Sequence, residues 1–271
     1  MRRWASHGAV GTRCSAERQL RIRLAALYRI AGDFGWAEVV YNHITLRVSA
    51  TTFLINPFGL SFAEITASSL VTVDVNGNIV DPGDTGRGIN CPGFVIHSAI
   101  HAARHDLKCV MHSHHTPTTA VASLLGGRAG LLPLSQEACI IWPRVSPLRH
   151  PFEGLASDAA EQERLVARFG SDPAVQIVLL ANHGALCCGG TVEEAFWNSY
   201  VLSRACETQV AAMAAVGGDI SRLSVPSDAV VEQTAARLAV ALETQGNVEW
   251  GRVEFEALRR ALDREDPSYS R

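Results

Sequence analysis

The sequence predicts an α/β or α+β domain, a sheet covered by helices, on three observations. Short apolar runs of strand length interleave with longer stretches of helical period. The 271 residues are 47% hydrophobic, enough to bury one large core or two modest ones. No internal repeat or low-complexity linker divides the chain, so one domain is the default.

Residues 1–16 carry Arg2, Arg3 and Arg13 and no acid, and lack the apolar stretch of a secretory signal; they are expected to be a flexible tail. From Glu17 to Ala31 a helical stripe of Leu20, Leu24, Leu27, Tyr28 and Ala31 stops at Gly32. Strands are expected at Ile44–Val48 and Thr52–Ile55, followed by the turn Asn56-Pro57-Phe58-Gly59. Val71–Val75 and Ile79–Val80 flank Asn76-Gly77-Asn78, which predicts a hairpin on a type I′ turn. A helix over Phe94–Arg104 then leads into a strand over Lys108–His112. A helix over Ala159–Phe169 breaks at Asp172-Pro173 into a strand over Val175–Leu180. Thr191-x-x-Glu194 matches a capping box opening a long helix that ends at Gly217-Gly218. Helices over Ser227–Thr244 and Val253–Arg264 finish the chain.

Bulk properties narrow the function. A formal charge of −3 gives no footprint for nucleic acid or an anionic membrane, so neither is an expected partner. No apolar stretch reaches the roughly 18 residues of a membrane helix. Seven cysteines, an odd count without Cys-x-x-Cys spacing, fit buried thiols in a reducing, cytoplasmic setting. Cys187-Cys188 is not read as a redox pair, because adjacent strand residues point to opposite faces.

The chemistry concentrates in histidines. His112 and His114 end the apolar run Cys109-Val110-Met111 and lie two apart, so an extended strand puts both on one face. A turn-borne His183 in Asn182-His183-Gly184 would complete a three-nitrogen site for one divalent metal ion. His97 and His101, at i and i+4 of a helix, form a competing pair without an evident third ligand, and Ile96 and Ile100 set that face against a core. His115 points away from the first pair if the strand continues, which leaves it as a proton-carrier candidate.

At these residues the chain resembles the class II aldolase/adducin head-domain family, in its bacterial adducin-like branch. The resemblance runs over about residues 18–218 through Tyr41-Asn42-His43-Ile44-Thr45-Leu46-Arg47, Asn56-Pro57-Phe58-Gly59, His97-Ser98-Ala99-Ile100-His101, His112-Ser113-His114 and Asn182-His183-Gly184. It implies a three-layer α/β/α sandwich around a central, largely antiparallel sheet over residues 17–218, with residues 219–271 a helical extension packed on the same domain. It also implies a homotetramer with each site near a subunit boundary, and a metal on His112, His114 and His183, either Zn2+ or Fe2+. Two departures stand out. Sugar-phosphate aldolases of the family place a catalytic glutamate where this chain has Gly93, and phosphate-holding serines where it has Cys91-Pro92. Adducin heads, which are not enzymes, look similar there.

Three neutral imidazoles leave the ion's double charge uncompensated, which favours a small anionic hydroxy- or oxo-acid as substrate. Decarboxylation and retro-aldol cleavage both develop the enolate-like charge that such an ion stabilises, and decarboxylation better tolerates Gly93 because no base need take a proton from carbon. Protons would come from metal-bound water, with His115 and Glu137 as side-chain candidates; Glu153 reads as solvated. Asn42, Thr45 and Gly59 match the region where relatives bind the substrate's anionic end. The alternatives are an Fe(II) oxygenase performing oxidative decarboxylation on the same histidines and a non-catalytic, adducin-like oligomerisation module.

Overall fold

The computed structural model describes residues 8–154, 159–244, 246 and 248–271. A seven-stranded sheet forms from β1 (His43–Arg47), β2 (Thr52–Ile55), β3 (Val71–Asp74), β4 (Ile79–Asp81), β5 (Cys109–Ser113), β6 (Ile177–Leu180) and β7 (Gly184–Gly189). Its order is β4-β3-β2-β1-β5-β7-β6, and every neighbouring pair is antiparallel. The helices are α1 (Gly8–Asp33), α2 (Cys91–Ala103), α3 (Thr116–Ala122), α4 (Gln136–Ile141), α5 (Ala159–Ala167), α6 (Val192–Ala215), α7 (Asp228–Thr244) and α8 (Arg252–Glu265).

Strand alternation divides the helices between the two faces. On one face Ile44, Leu46, Leu54, Cys109 and Met111 meet Leu24, Leu27 and Tyr28 of α1, Phe196 of α6 and Phe255 and Leu262 of α8. Ile177, Leu179, Ala185 and Cys187 continue that face beneath α3, α4 and α6. On the other, Val110, Val178, Leu186 and Cys188 pack under Ile96 and Ile100 of α2 and Leu165 of α5. The result is an α/β/α sandwich around an antiparallel sheet. Cys187 and Cys188 belong to different cores, and burial pushes the Cys187 thiol up to about 12 and the Cys188 thiol well up as well.

Several expected boundaries move. The helix expected from Glu17 starts already at Gly8, so part of the expected tail is helical, while residues 1–7 lie outside the described residues. The hairpin at Asn76-Gly77 forms, but not on a type I′ turn. Gly77 N–H donates to Asp74 O at 3.1 Å and only Gly77 takes positive φ, at 87°, which is a three-residue loop with a type I turn and a left-handed glycine. α2 begins at Cys91 rather than Phe94, and β6 begins at Ile177 rather than Val175. The Thr191 hydroxyl accepts the Glu194 N–H at 3.1 Å as expected, while the Glu194 carboxylate accepts from Gly190 N–H at 2.8 Å. No helix among the described residues is long and apolar enough to cross a membrane.

Candidate metal centre

β5 pairs with β7 in the register His112↔Leu186 and Ser113↔Ala185, which brings the turn before β7 beside the end of β5. That turn carries Asn182 at φ 57° and Gly184 at φ 142°. A Cβ at Gly184 would run into the Ser113 carbonyl, so glycine there lets the His183 turn close over the strand end. The rings of His112, His114 and His183 then lie at centroid separations of 4.7–4.8 Å, and one nitrogen of each falls within 4.8 Å of the others.

Outer partners set the tautomers. His112 Nδ1 lies 3.1 Å from Ala185 O, and His114 Nδ1 contacts the Glu38 carboxylate. A carbonyl and a carboxylate can only accept, so both Nδ1 atoms carry the proton and both Nε2 lone pairs face inward. Those Nε2 atoms stand 2.8 Å apart. Burial, reinforced by the neighbouring histidines, holds His112 well below its ordinary range and His183 down to about 4. Two lone pairs at this distance repel, and the depressed basicity argues against a proton between them; a cation removes the conflict. The donor set therefore fits a first-row divalent ion.

Glu38 was not found by sequence reasoning. It sits 76 residues before His114 in the connection between α1 and β1, and nothing periodic marks it. Loss of such an outer partner generally costs about 10–100-fold in metal affinity. Glu38→Gln is expected to weaken zinc binding by that factor, read by competition with a chelating dye; unchanged affinity would show that the carboxylate orients nothing.

A second set of histidines lies under α2 on the same sheet face. Thr45 Oγ1 is 2.7 Å from His97 Nδ1 and 2.8 Å from His101 Nε2, and His43 Nδ1 is 2.8 Å from His97 Nε2. All four side chains are buried. Thr45 therefore does not line an opening as expected; its hydroxyl is spent inside the wall. His97 and His101 belong to this packed network, and burial lowers both, His101 to about 3. The unfolded chain, with ordinary histidine near 6.5, takes up these protons first. Stability is thus fully present above about pH 6.5 and is lost as pH falls toward 3, by up to about 1.4 kcal/mol per pH unit for each ring. Thermal unfolding in a chelator, so that no ion release contributes, should show a lower Tm at pH 5 than at pH 7.5. A flat profile would contradict it.

The position lacking the glutamate has a physical explanation. A Cβ at Gly93 would strike the His43 imidazole, whose ring lies 5.2 Å from that of His112. His43 occupies the space that a side chain at position 93 would need.

The remaining candidates spread out. Asn42 is buried; its Oδ1 accepts the Glu38 N–H while its Nδ2 has no hydrogen-bond partner. Gly59 is exposed beside the Arg87 guanidinium. His115 faces α6 instead, with Nδ1 3.2 Å from Ser203 Oγ and Nε2 3.6 Å from Glu207. Glu137 occupies the first turn of α4, and no hydrogen bond or ion pair among the described residues joins it to the three histidines.

Comparison with known proteins identifies the family. Residues 22–210 match the Class II Aldolase and Adducin N-terminal domain, and the chain belongs to that family. An aldolase II superfamily protein from Pseudomonas syringae is 42% identical, with a TM-score of 0.83 over 94% of this chain and 96% of its own. L-fuculose 1-phosphate aldolase from Glaciozyma antarctica is 25% identical, with a TM-score of 0.79 over 100% of this chain and 96% of its own. Alpha-adducin of Rattus norvegicus is 42% identical over 91% of the chain, which spans 33% of that relative's length.

Proposed function

We propose that the chain holds one divalent ion, Zn2+ or Fe2+, on His112, His114 and His183 and cleaves a carbon–carbon bond of a small hydroxy- or oxo-acid, by decarboxylation or retro-aldol reaction. The observation that carries it is the pair of inward Nε2 atoms 2.8 Å apart, each ring anchored from behind by an obligate acceptor. Likeness to an L-fuculose 1-phosphate aldolase supports the reaction class.

A bound ion supplies Lewis acidity for the negative charge that develops on a substrate oxygen. The chain's own residues do the rest. Ala185 O and Glu38 hold two rings in the ligating tautomer. Asn42 Nδ2, buried without a partner, is a donor suited to the substrate's anionic end, and Gly59 with Arg87 extends that recognition. Thr45 supports from below by fixing His97 and His101. With His43 filling the space at Gly93, no carboxylate there can take a proton from carbon, which favours decarboxylation. Exposed Val39, Tyr41 and Phe152 beside the site fit a subunit boundary, and a homotetramer is part of the proposal.

The test is anaerobic incubation of metal-loaded protein with a panel of 2-oxo and 3-hydroxy acids, reading carbon dioxide and aldehyde release. Turnover without dioxygen, abolished by a chelator, is expected. Turnover only with dioxygen, or none in metal-loaded protein, would overturn the lyase reading; the second result would favour the module suggested by the adducin similarity.

A further inference from the structure

A cationic cavity opens at the end of the sheet opposite the three histidines. β1 runs from His43, whose ring packs against His112, to Arg47, and Lys108 directly precedes β5. The five residues of β1 set its two ends roughly 13 Å apart. Arg47 N–H donates to Lys108 O at 2.8 Å, one rung beyond the paired residues Leu46 and Cys109. The two cations are therefore cross-strand neighbours, an arrangement that destabilises a sheet unless an anion offsets it.

No carboxylate among the described residues supplies that anion. Arg47 is half-buried; it donates to Ala50 O at 3.0 Å and to His101 O, while its Nε has no partner. Burial lowers it from the ordinary arginine range, and no negative charge acts against that shift. Lys108 is the only lysine in the chain. Its ammonium and the Arg252 guanidinium are exposed, and neither makes a hydrogen bond or ion pair among the described residues.

All three cations line one cavity of about 590 Å³, a size usual for small-molecule sites. Arg23 and Glu193 also line it but already pair with each other, which leaves Glu249 as the one free carboxylate of the wall. Three cations without a counter-ion thus face one carboxylate, on a chain whose formal charge is −3. The excess of two positive charges matches a phosphate monoester, which carries about −1.5 to −2 and three acceptor oxygens, better than a single carboxylate.

We propose that this cavity binds a small phosphorylated molecule, with its dianionic head on Arg47, Lys108 and Arg252 and its organic body against Leu20, Leu46 and Val192. The site shares no residue with the three-histidine centre and does not depend on an ion there.

Calorimetric titration of chelator-stripped full-length protein with phenyl phosphate tests it. Binding should be tighter than for inorganic phosphate, which lacks the organic body, and than for benzoate, which carries a single charge. Lys108→Ala and Arg252→Ala should each weaken it at least about tenfold, the worth of a charge-assisted hydrogen bond. Neither side chain holds a contact that the fold needs, so both variants should fold. In the wild-type chain, saturating phenyl phosphate should also slow acetylation of Lys108 by acetic anhydride, read by peptide mass, which makes one arm independent of any variant. No binding by wild type, undiminished affinity in either variant, or an unchanged acetylation rate overturns the site. Benzoate or inorganic phosphate binding as tightly as phenyl phosphate overturns the ligand class. Affinity lost in His112→Ala but kept in Lys108→Ala and Arg252→Ala would move the anion to the three histidines and overturn the site as well.

Discussion

His183→Ala is expected to weaken binding of the proposed ion by more than roughly a hundredfold, beyond what loss of an outer partner costs. In the proposed centre His183 is the ligand supplied by the β6–β7 turn, whereas His112 and His114 share one strand end, so its removal would leave two nitrogens on one side of the ion. The fold should persist, because the His183 ring contributes to none of the hydrophobic cores. Ligand linkage makes the loss visible without any substrate. An ion present at about 100 times its Kd stabilises the native state by about 2.7 kcal/mol. Wild-type Tm should therefore rise on adding zinc, and the rise should shrink markedly in the variant. An undiminished zinc shift would place the ion elsewhere.

Gly93→Glu is expected to damage the protein rather than restore an aldolase-type base. The new Cβ would meet the His43 ring, which is buried, hydrogen-bonded to His97 at 2.8 Å and packed against His112. The ring must swing out of this network or α2 must lift. Overpacking of this kind costs about 1–3 kcal/mol, roughly 2–12 °C in Tm for a chain of this size. The cost should be coupled: combined with His43→Ala, which frees the space, Gly93→Glu should destabilise less than it does alone. Calorimetry of the four proteins of the cycle checks this. A single Gly93→Glu variant as stable as wild type would show that His43 does not hold that space.

The parts of the site written in local period were legible from sequence. A strand repeat of two puts His112 and His114 together, and the Asn-His-Gly turn carries His183. The stripe Leu24, Leu27, Tyr28 and Ala31 was equally readable, and all four are fully buried. What escaped depends on the fold. Glu38 meets His114 only because the α1–β1 connection passes the end of β5, and no spacing encodes that. The Thr45 hydroxyl reads as a free donor until α2 lays His97 and His101 across it. Gly93 reads as a missing base until His43 is seen filling its place. β7 gave no alternation because all six of its residues are buried, and α3 and α4, at seven and six residues, are too short for a helical repeat to show.

Elemental analysis of anaerobically purified protein, beside His112→Ala, tests the central claim most directly. At least one equivalent of zinc or iron per chain, missing from the variant, is the predicted result. Native protein of normal thermal stability that carries no transition metal, or a metal content unchanged by His112→Ala, would contradict it.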